Sequence, residues 1–276
     1  MSTLRTLFLL VLLTAILVWV GRIVGGRNGM MIALAVGLGL NFVNYWFSST
    51  LVLKAYRARI LEPDEMPELQ ADIRDLAERA GLPMPKVAVI PNEAPNAFAT
   101  GRNPQHAVVA VTEGILRLCS RRELRGVLGH ELGHVCNRDM LTMTLVAGAV
   151  SAISMLAQMG YFFGGRRNDR EGSGIGALMM VLLAPLAASL VQMAISRTRE
   201  YGADDQGAEL SGDPGALADA LEKLHQGIPQ HAPLSATGAT AHMMIANPFF
   251  GLGRMFSTHP DPVKRIARLR AMAAGR

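Results

Sequence analysis

The stretch GHELGHVCNRDML, from Gly129 to Leu141, contains H-E-x-x-H at His130, Glu131 and His134. A helix advances about 100° per residue, so two histidines four apart lie on one face and offer two imidazole nitrogens to one ion. Glu131, beside them, is placed to hold and deprotonate a water. Those residue types at that spacing are the chemistry of metal-assisted hydrolysis. The set is incomplete, because a catalytic zinc takes three protein ligands and an open position. Asn137 and Met140 stand where the longer H-E-x-x-H-x-x-G-x-x-H pattern would carry its glycine and third histidine. The third ligand must come from elsewhere. Read without chemistry, the same residues are two satisfied histidines on a core helix.

One known arrangement takes a glutamate from a second helix, with an aspartate four residues later behind a ligand. SRTREYGAD (Ser196 to Asp204) offers this, since Glu200 and Asp204 share one helical face. The bland reading is a solvated acidic face pairing with Arg197 or Arg199. Positioning the two pieces depends on what lies between them, and that is hydrophobic.

Hydrophobic residues make up 50% of the 276-residue chain and charged residues 18%, with a mean hydropathy of +0.25. An average soluble domain carries about 25% charge. The deficit sits in four blocks without charge: Thr6–Gly21 (16 residues), Asn28–Leu53 (26), Met140–Gly165 (26) and Gly172–Ser196 (25). About 20 apolar residues cross a bilayer core. The last three blocks are long enough, and Arg5 and Arg22 lengthen the first by snorkelling. A signal peptide is the alternative for the first block, although no A-x-A-like cleavage site follows it. Buried core helices are the alternative for the third and fourth, which carry Thr142, Ser151, Gln158 and Gln192.

Two crossings, out at Met140 and back at Ser196, return the chain to the side it left, so Glu200 can meet His130 and His134. Arg57, Arg59, Arg121, Arg122, Arg125, Arg138, Arg197 and Arg199 gather on that side, which positive-inside reasoning makes cytoplasmic. Arg166, Arg167 and Arg170 on the far side weaken the bias without reversing it. The net charge of +5 and pI of about 9.6 fit basic membrane flanks, and no aromatic-interleaved basic stripe points to nucleic acid. Cys119 and Cys136 form no C-x-x-C pair and fit a reducing compartment. Cys136, two positions from His134, is read as packing.

The expected organisation is two N-terminal transmembrane helices over 1–53, one domain assembled from 54–139 and 197–276, and a transmembrane or membrane-buried hairpin over 140–196. In that domain, PELQADIRDLAERAG is helical, with Leu69, Ile73, Leu76 and Ala80 on one face, Pro67 in the first turn and Gly81 at the stop. Lys86–Ile90 and His106–Val111 read as strands. Ser120 and Glu123 form a capping box that opens the His130 helix. Residues 197–210 read as helix, another helix follows Asp213-Pro214, and a basic one begins near Pro260. Residues 226–256 have no clear period and read as loop.

These residues, taken together, resemble the HtpX family of membrane zinc metalloproteases, relatives of the CAAX prenyl endopeptidases among the gluzincins. The resemblance rests on AGLPMPKV (Ala80–Val87), PNAFATGRNP (Pro95–Pro104), AVTEGIL (Ala110–Leu116), GHELGHVCNRD (Gly129–Asp139), SRTREYGAD, and FSTHPDP with Arg265. It implies an α-helical membrane protein with an α+β zincin-like domain: four hydrophobic helices, a small sheet with a substrate-binding edge strand, and metal-binding helices. It implies one zinc held by His130, His134 and Glu200, with Glu131 as general base and Asp204 orienting a ligand imidazole. It makes Asn96, Ala97, Phe98 and Ala99 the edge strand that pairs with substrate main chain, against the alternative of a tucked turn with Phe98 in the core. It brings His259 and Arg265 toward the transition-state oxyanion, against a helix-start histidine and a surface arginine, with Tyr201 as a weaker candidate.

The implied function is endoproteolysis of damaged or misassembled membrane proteins on the cytosolic side of a bacterial-type inner membrane. The implied partners are polypeptides and lipid, with no nucleic acid. The alternatives are a CAAX-type processing protease and a non-proteolytic zinc-stabilised scaffold or transporter.

Overall fold

The computed structural model describes residues 2–140, 199–227 and 261–275, with isolated positions between 142 and 197. It divides into two compact units, one of residues 1–46 with 142–195, the other of 47–141 with 196–276. Most of the third and fourth uncharged blocks lie outside the described residues, as does the 226–256 stretch read as loop apart from Gln226 and Gly227, which end a helix.

In the first unit, α1 (Ser2–Ala55) is helical except at Gly25 (φ −145°, ψ 22°) and Gly26 (φ 60°, ψ −139°). The chain folds back there. A Cβ on Gly21 would lie 2.5 Å from that of Ala33, and one on Gly37 would lie 2.7 Å from Leu17 Cδ2. Glycine at the contact lets two apolar arms approach backbone to backbone, the usual device where no hydrophobic effect drives helices together. Leu13, Leu17, Val20 and Ala33 are buried with Val146, Ala149, Ala152 and Ile153 of the third block. Phe8, Trp19, Met31, Leu38, Phe42 and Trp46 point outward and are exposed. Among the described residues, Val11–Gly39 is the stretch long and apolar enough to cross a membrane. Because Gly25–Gly26 breaks it, we read it as the two legs of a hairpin around a turn flanked by Arg22 and Arg27.

The second unit is built on a four-stranded sheet, in the order β1 (Arg59–Ile60), β2 (Lys86–Ile90), β4 (Val108–Thr112), β3 (Ala97–Thr100). β2 and β4 are parallel, and the outer pairs are antiparallel. VVAVT of β4 is buried at every position because both faces are covered. Val87, Val109 and Val111 pack under α2 (Pro67–Arg79), α3 (Glu113–Leu118) and α4 (Arg121–Cys136). Ala88, Ile90, Phe98, Val108 and Ala110 face Val52, Leu53 and Tyr56 at the end of α1. Among the described residues, three further helices belong to the unit: α5 over residues 199–211, α6 (Pro214–Gly227) and α7 (Pro262–Ala274).

One strand expectation changes. β4 begins at Val108 rather than His106, because Pro104 opens a 3-10 turn over Pro104–His106 and the Asn103 side chain accepts from His106 N. β1 is too short and too exposed to leave a periodic signal.

Candidate active site

α4 is started by the expected capping box. Ser120 Oγ accepts from Glu123 N, Glu123 Oε2 accepts from Ser120 N at 2.8 Å, and Lys223 of α6 donates to the same oxygen. From Leu124 to Val135 nearly every residue is buried, including His130 and Glu131. Polar groups in such a place need partners. α5 supplies most of them, at very short range. A Cβ on Gly133 would lie 3.0 Å from Ala203 O, and one on Gly207 would lie 2.6 Å from His130 N. The two helices therefore touch along Gly129 and Gly133 on one side and Ala203 and Gly207 on the other.

That contact brings one ligand atom each of His130, His134 and Glu200 within 4.8 Å of one another. Glu200 Oε2 is 3.7 Å from His130 Nε2, and Glu200 Oε1 is 3.6 Å from His134 Nε2. The far nitrogens are held by carboxylates: His130 Nδ1 by Asp204 Oδ1 at 3.0 Å, and His134 Nδ1 by Asp139 Oδ2 at 2.8 Å. A carboxylate at Nδ1 assigns the proton to that nitrogen and leaves Nε2 with its lone pair. Two such nitrogens and one carboxylate are a donor set that fits a catalytic zinc with an open position.

Each of those aspartates meets an arginine. Arg265, only 2% exposed, donates to Asp204 from Nε (2.8 Å) and Nη2 (2.7 Å). Its Nη1 is 3.0 Å from Glu200 Oε2, and its Nη2 is 3.4 Å from His130 Nε2. Burial raises the Asp204 carboxyl, but the Arg265 charge and the bonds from His130 and Arg265 outweigh it and hold it at about 2. Asp139, also buried, pairs with Arg199.

Glu131 stands apart from this cage. Ala99 N donates to its Oε2 at 2.9 Å. Burial pushes its carboxyl above the ordinary range. His130 and His134 oppose that rise, Glu200 adds to it, and the Ala99 N–H opposes it. Ala99 belongs to β3, the edge of the sheet. Thr112 N donates to Asn96 O, so Asn96, Phe98 and Thr100 turn their main chain toward β4, and Ala97 and Ala99 turn theirs the other way. The segment is a strand rather than a turn from Ala97 onward, and Phe98 is buried against Tyr56 (ring centroids 5.7 Å apart). Tyr201 lies against Arg268, whose guanidinium carbon is 5.6 Å from its ring centre. His259 lies outside the described residues. Asp139, Arg199, Gly133 and Gly207 were not singled out from the sequence for the site. The one signal for Asp139 is an acid at the edge of an uncharged block, a costly place for an unpartnered charge.

Residues 63–273 match the sequence profile of peptidase family M48. The chain belongs to peptidase family M48. Full-length relatives include a protein named Protease HtpX homolog from Thermococcus sibiricus, 52% identical over 279 residues covering 98% of this chain and 96% of the relative. A second of that name, from Methylibium petroleiphilum, is 52% identical over 281 residues, covering 100% and 99%. The fold is similar to that in the crystal structure of S. mikatae Ste24p, with a TM-score of 0.51 and 21% identity over 83% of this chain and 58% of that one. As an M48 member the chain is a metalloprotease, mostly helical with a small mixed sheet, and its His-His-Glu cluster could hold a metal ion.

Proposed function

We propose that this M48 protease holds one zinc through His130, His134 and Glu200 and hydrolyses peptide bonds with Glu131 as general base. The observation that carries the reading is the convergence of three ligand atoms from α4 and α5 beside a buried carboxylate that touches the edge strand. Zinc, when bound, would supply a Lewis acid for the scissile carbonyl and make a water acidic near neutral pH. Glu131 accepts the proton of the attacking water and returns it to the leaving amine. An extended peptide adds to β3 through the main chain of Ala97 and the carbonyl of Ala99, whose N–H is held by Glu131, a mode that tolerates many side chains. Asp204 keeps the His130 ring in register, and Arg265 is a positioning residue that holds Asp204 and Glu200. His259 precedes the Arg265 helix by only two residues, and we assign it to the oxyanion.

The apolar outer faces of the α1 arms support a membrane-embedded enzyme. The third and fourth uncharged blocks add two crossings, and the arginines around the site favour its cytoplasmic placement. Substrates are then polypeptides that reach the site from the membrane surface, and removal of damaged or misassembled membrane proteins is the role this favours over CAAX-type processing. The test is zinc content and cleavage of an unfolded substrate by the full chain. Wild-type protein binds one zinc and cleaves, whereas Glu200→Ala releases zinc and loses cleavage. Full zinc retention by Glu200→Ala would remove it from the ligand set.

A further inference from the structure

The two histidines are held in matching ways. His130 Nδ1 meets Asp204, which meets Arg265, and His134 Nδ1 meets Asp139, which meets Arg199. The first relay comes from the α5 and α7 side. The second comes from the two points where the chain leaves and re-enters the unit. Asp139 is the last residue before the uncharged block that begins at Met140, and Arg199 follows the end of the next such block at Ser196. Each also neighbours a ligand in the chain: Asp139 lies five residues after His134, and Arg199 immediately precedes Glu200.

The local backbone is built for this contact. α4 ends at Cys136, Asn137 N donates to Gly133 O, and Arg138 takes a left-handed conformation (φ 55°) that few non-glycine residues adopt. That turn carries Asp139 back onto the ring it follows. A buried carboxylate this close to a metal site is a candidate ligand in its own right, and an ion pair on its other oxygen keeps it from swinging in.

We propose that Asp139 and Arg199 form a clasp that positions His134 for the metal and links it to Glu200, the residue after Arg199. The proposal rests on His134 being a ligand. Asp139 fixes the ring tautomer and orientation, and Arg199 fixes Asp139 and, through the next residue, the start of the Glu200 helix. Both are positioning residues, because neither needs to touch substrate.

The experiment is a zinc titration of the full-length protein against a chelator of known affinity, alongside the absorption spectrum of the cobalt(II)-substituted protein. Loss of an outer partner of this kind weakens metal binding about 10–100-fold, and Asp139→Ala is expected in that range with an altered cobalt spectrum. Asp139→Asn keeps an oxygen for the imidazole N–H but loses the ion pair, and is expected to weaken binding less. Arg199→Met is expected to match Asp139→Asn, and the double variant to be no worse than either alone. At saturating zinc the peptide KM should stay at its wild-type value. Wild-type zinc affinity in Asp139→Asn and Arg199→Met, or strict additivity in the double variant, would overturn the clasp while leaving the ligand assignment standing. These two variants decide even if Asp139→Ala does not fold. Unchanged zinc binding in His134→Ala would overturn both.

Discussion

Glu131 and Arg265 are both buried beside His130, yet they are held for opposite ends. Glu131 has one main-chain partner and a carboxyl raised by burial, which suits a group that takes and releases a proton. Arg265 is saturated by Asp204 and Glu200, which suits a fixed charge. Removing one partner of a buried ion pair costs about 3–5 kcal/mol, because the other charge is left uncompensated. Arg265→Ala is therefore expected to destabilise the metal-free protein by about that amount. Zinc neutralises part of the exposed negative charge, so the deficit should shrink when the metal is added. Thermal midpoints with and without zinc check this, and an equal deficit in both states would show that Arg265 does not serve the ligand cage.

At the scale of elements, the separation of α4 and α5 sets the site. Gly207→Ala would drive a Cβ into the backbone at His130 and force the helices apart, a change expected to cost about 1–3 kcal/mol and to weaken zinc binding. Gly202 lies on the same helix, where a Cβ would meet only Asn137 Nδ2 at 3.8 Å. Gly202→Ala should instead stabilise by about 0.5–1 kcal/mol through helix propensity. Opposite signs in thermal unfolding are the expected result. Arg122 is one of the points where α4 meets its neighbours, donating to Asp213 and to Asp219. The Arg122 hydrogen bonds lower the Asp213 carboxyl. At Asp219 burial raises it, but the bonds from Arg122 and Arg270 prevail and the net shift is downward. A lowered folded pKa gives stability that is present above the unfolded value of about 3.9 and is lost as the pH falls through the folded values. Melting temperature should thus drop below about pH 4 more steeply in wild type than in Arg122→Gln. The difference should be modest, because these groups are exposed and screened.

These elements also show which parts of the site could be read from sequence. α4 was legible because its capping box and H-E-x-x-H are local patterns, and β4 because a short run of β-branched residues is one. β1 was not, since two residues acquire their strand identity only from pairing with β2. Asp139 was not, since its meaning depends on Arg199, which lies beyond two uncharged blocks. Gly133 and Gly207 matter only once two helices are known to touch.

For the whole molecule, two kinds of surface have to coexist in one chain. The α1 arms expose large apolar side chains, while the 47–141 and 196–276 unit carries a sheet, a charged exterior and the His-His-Glu cluster. In sequence, His134 and Glu200 stand on either side of the third and fourth uncharged blocks, so the two parts of the His-His-Glu cluster are separated by the most apolar stretch of the second half of the chain. The central claim is that this assembly is a peptidase whose Glu131 moves the proton, with zinc binding left to other residues. The most direct measurement is zinc stoichiometry and cleavage of an unfolded substrate by full-length wild-type and Glu131→Gln proteins, purified and loaded side by side. The account predicts equal zinc content and a loss of at least about 10²-fold in cleavage rate for Glu131→Gln. Cleavage at the wild-type rate by zinc-loaded Glu131→Gln would contradict it.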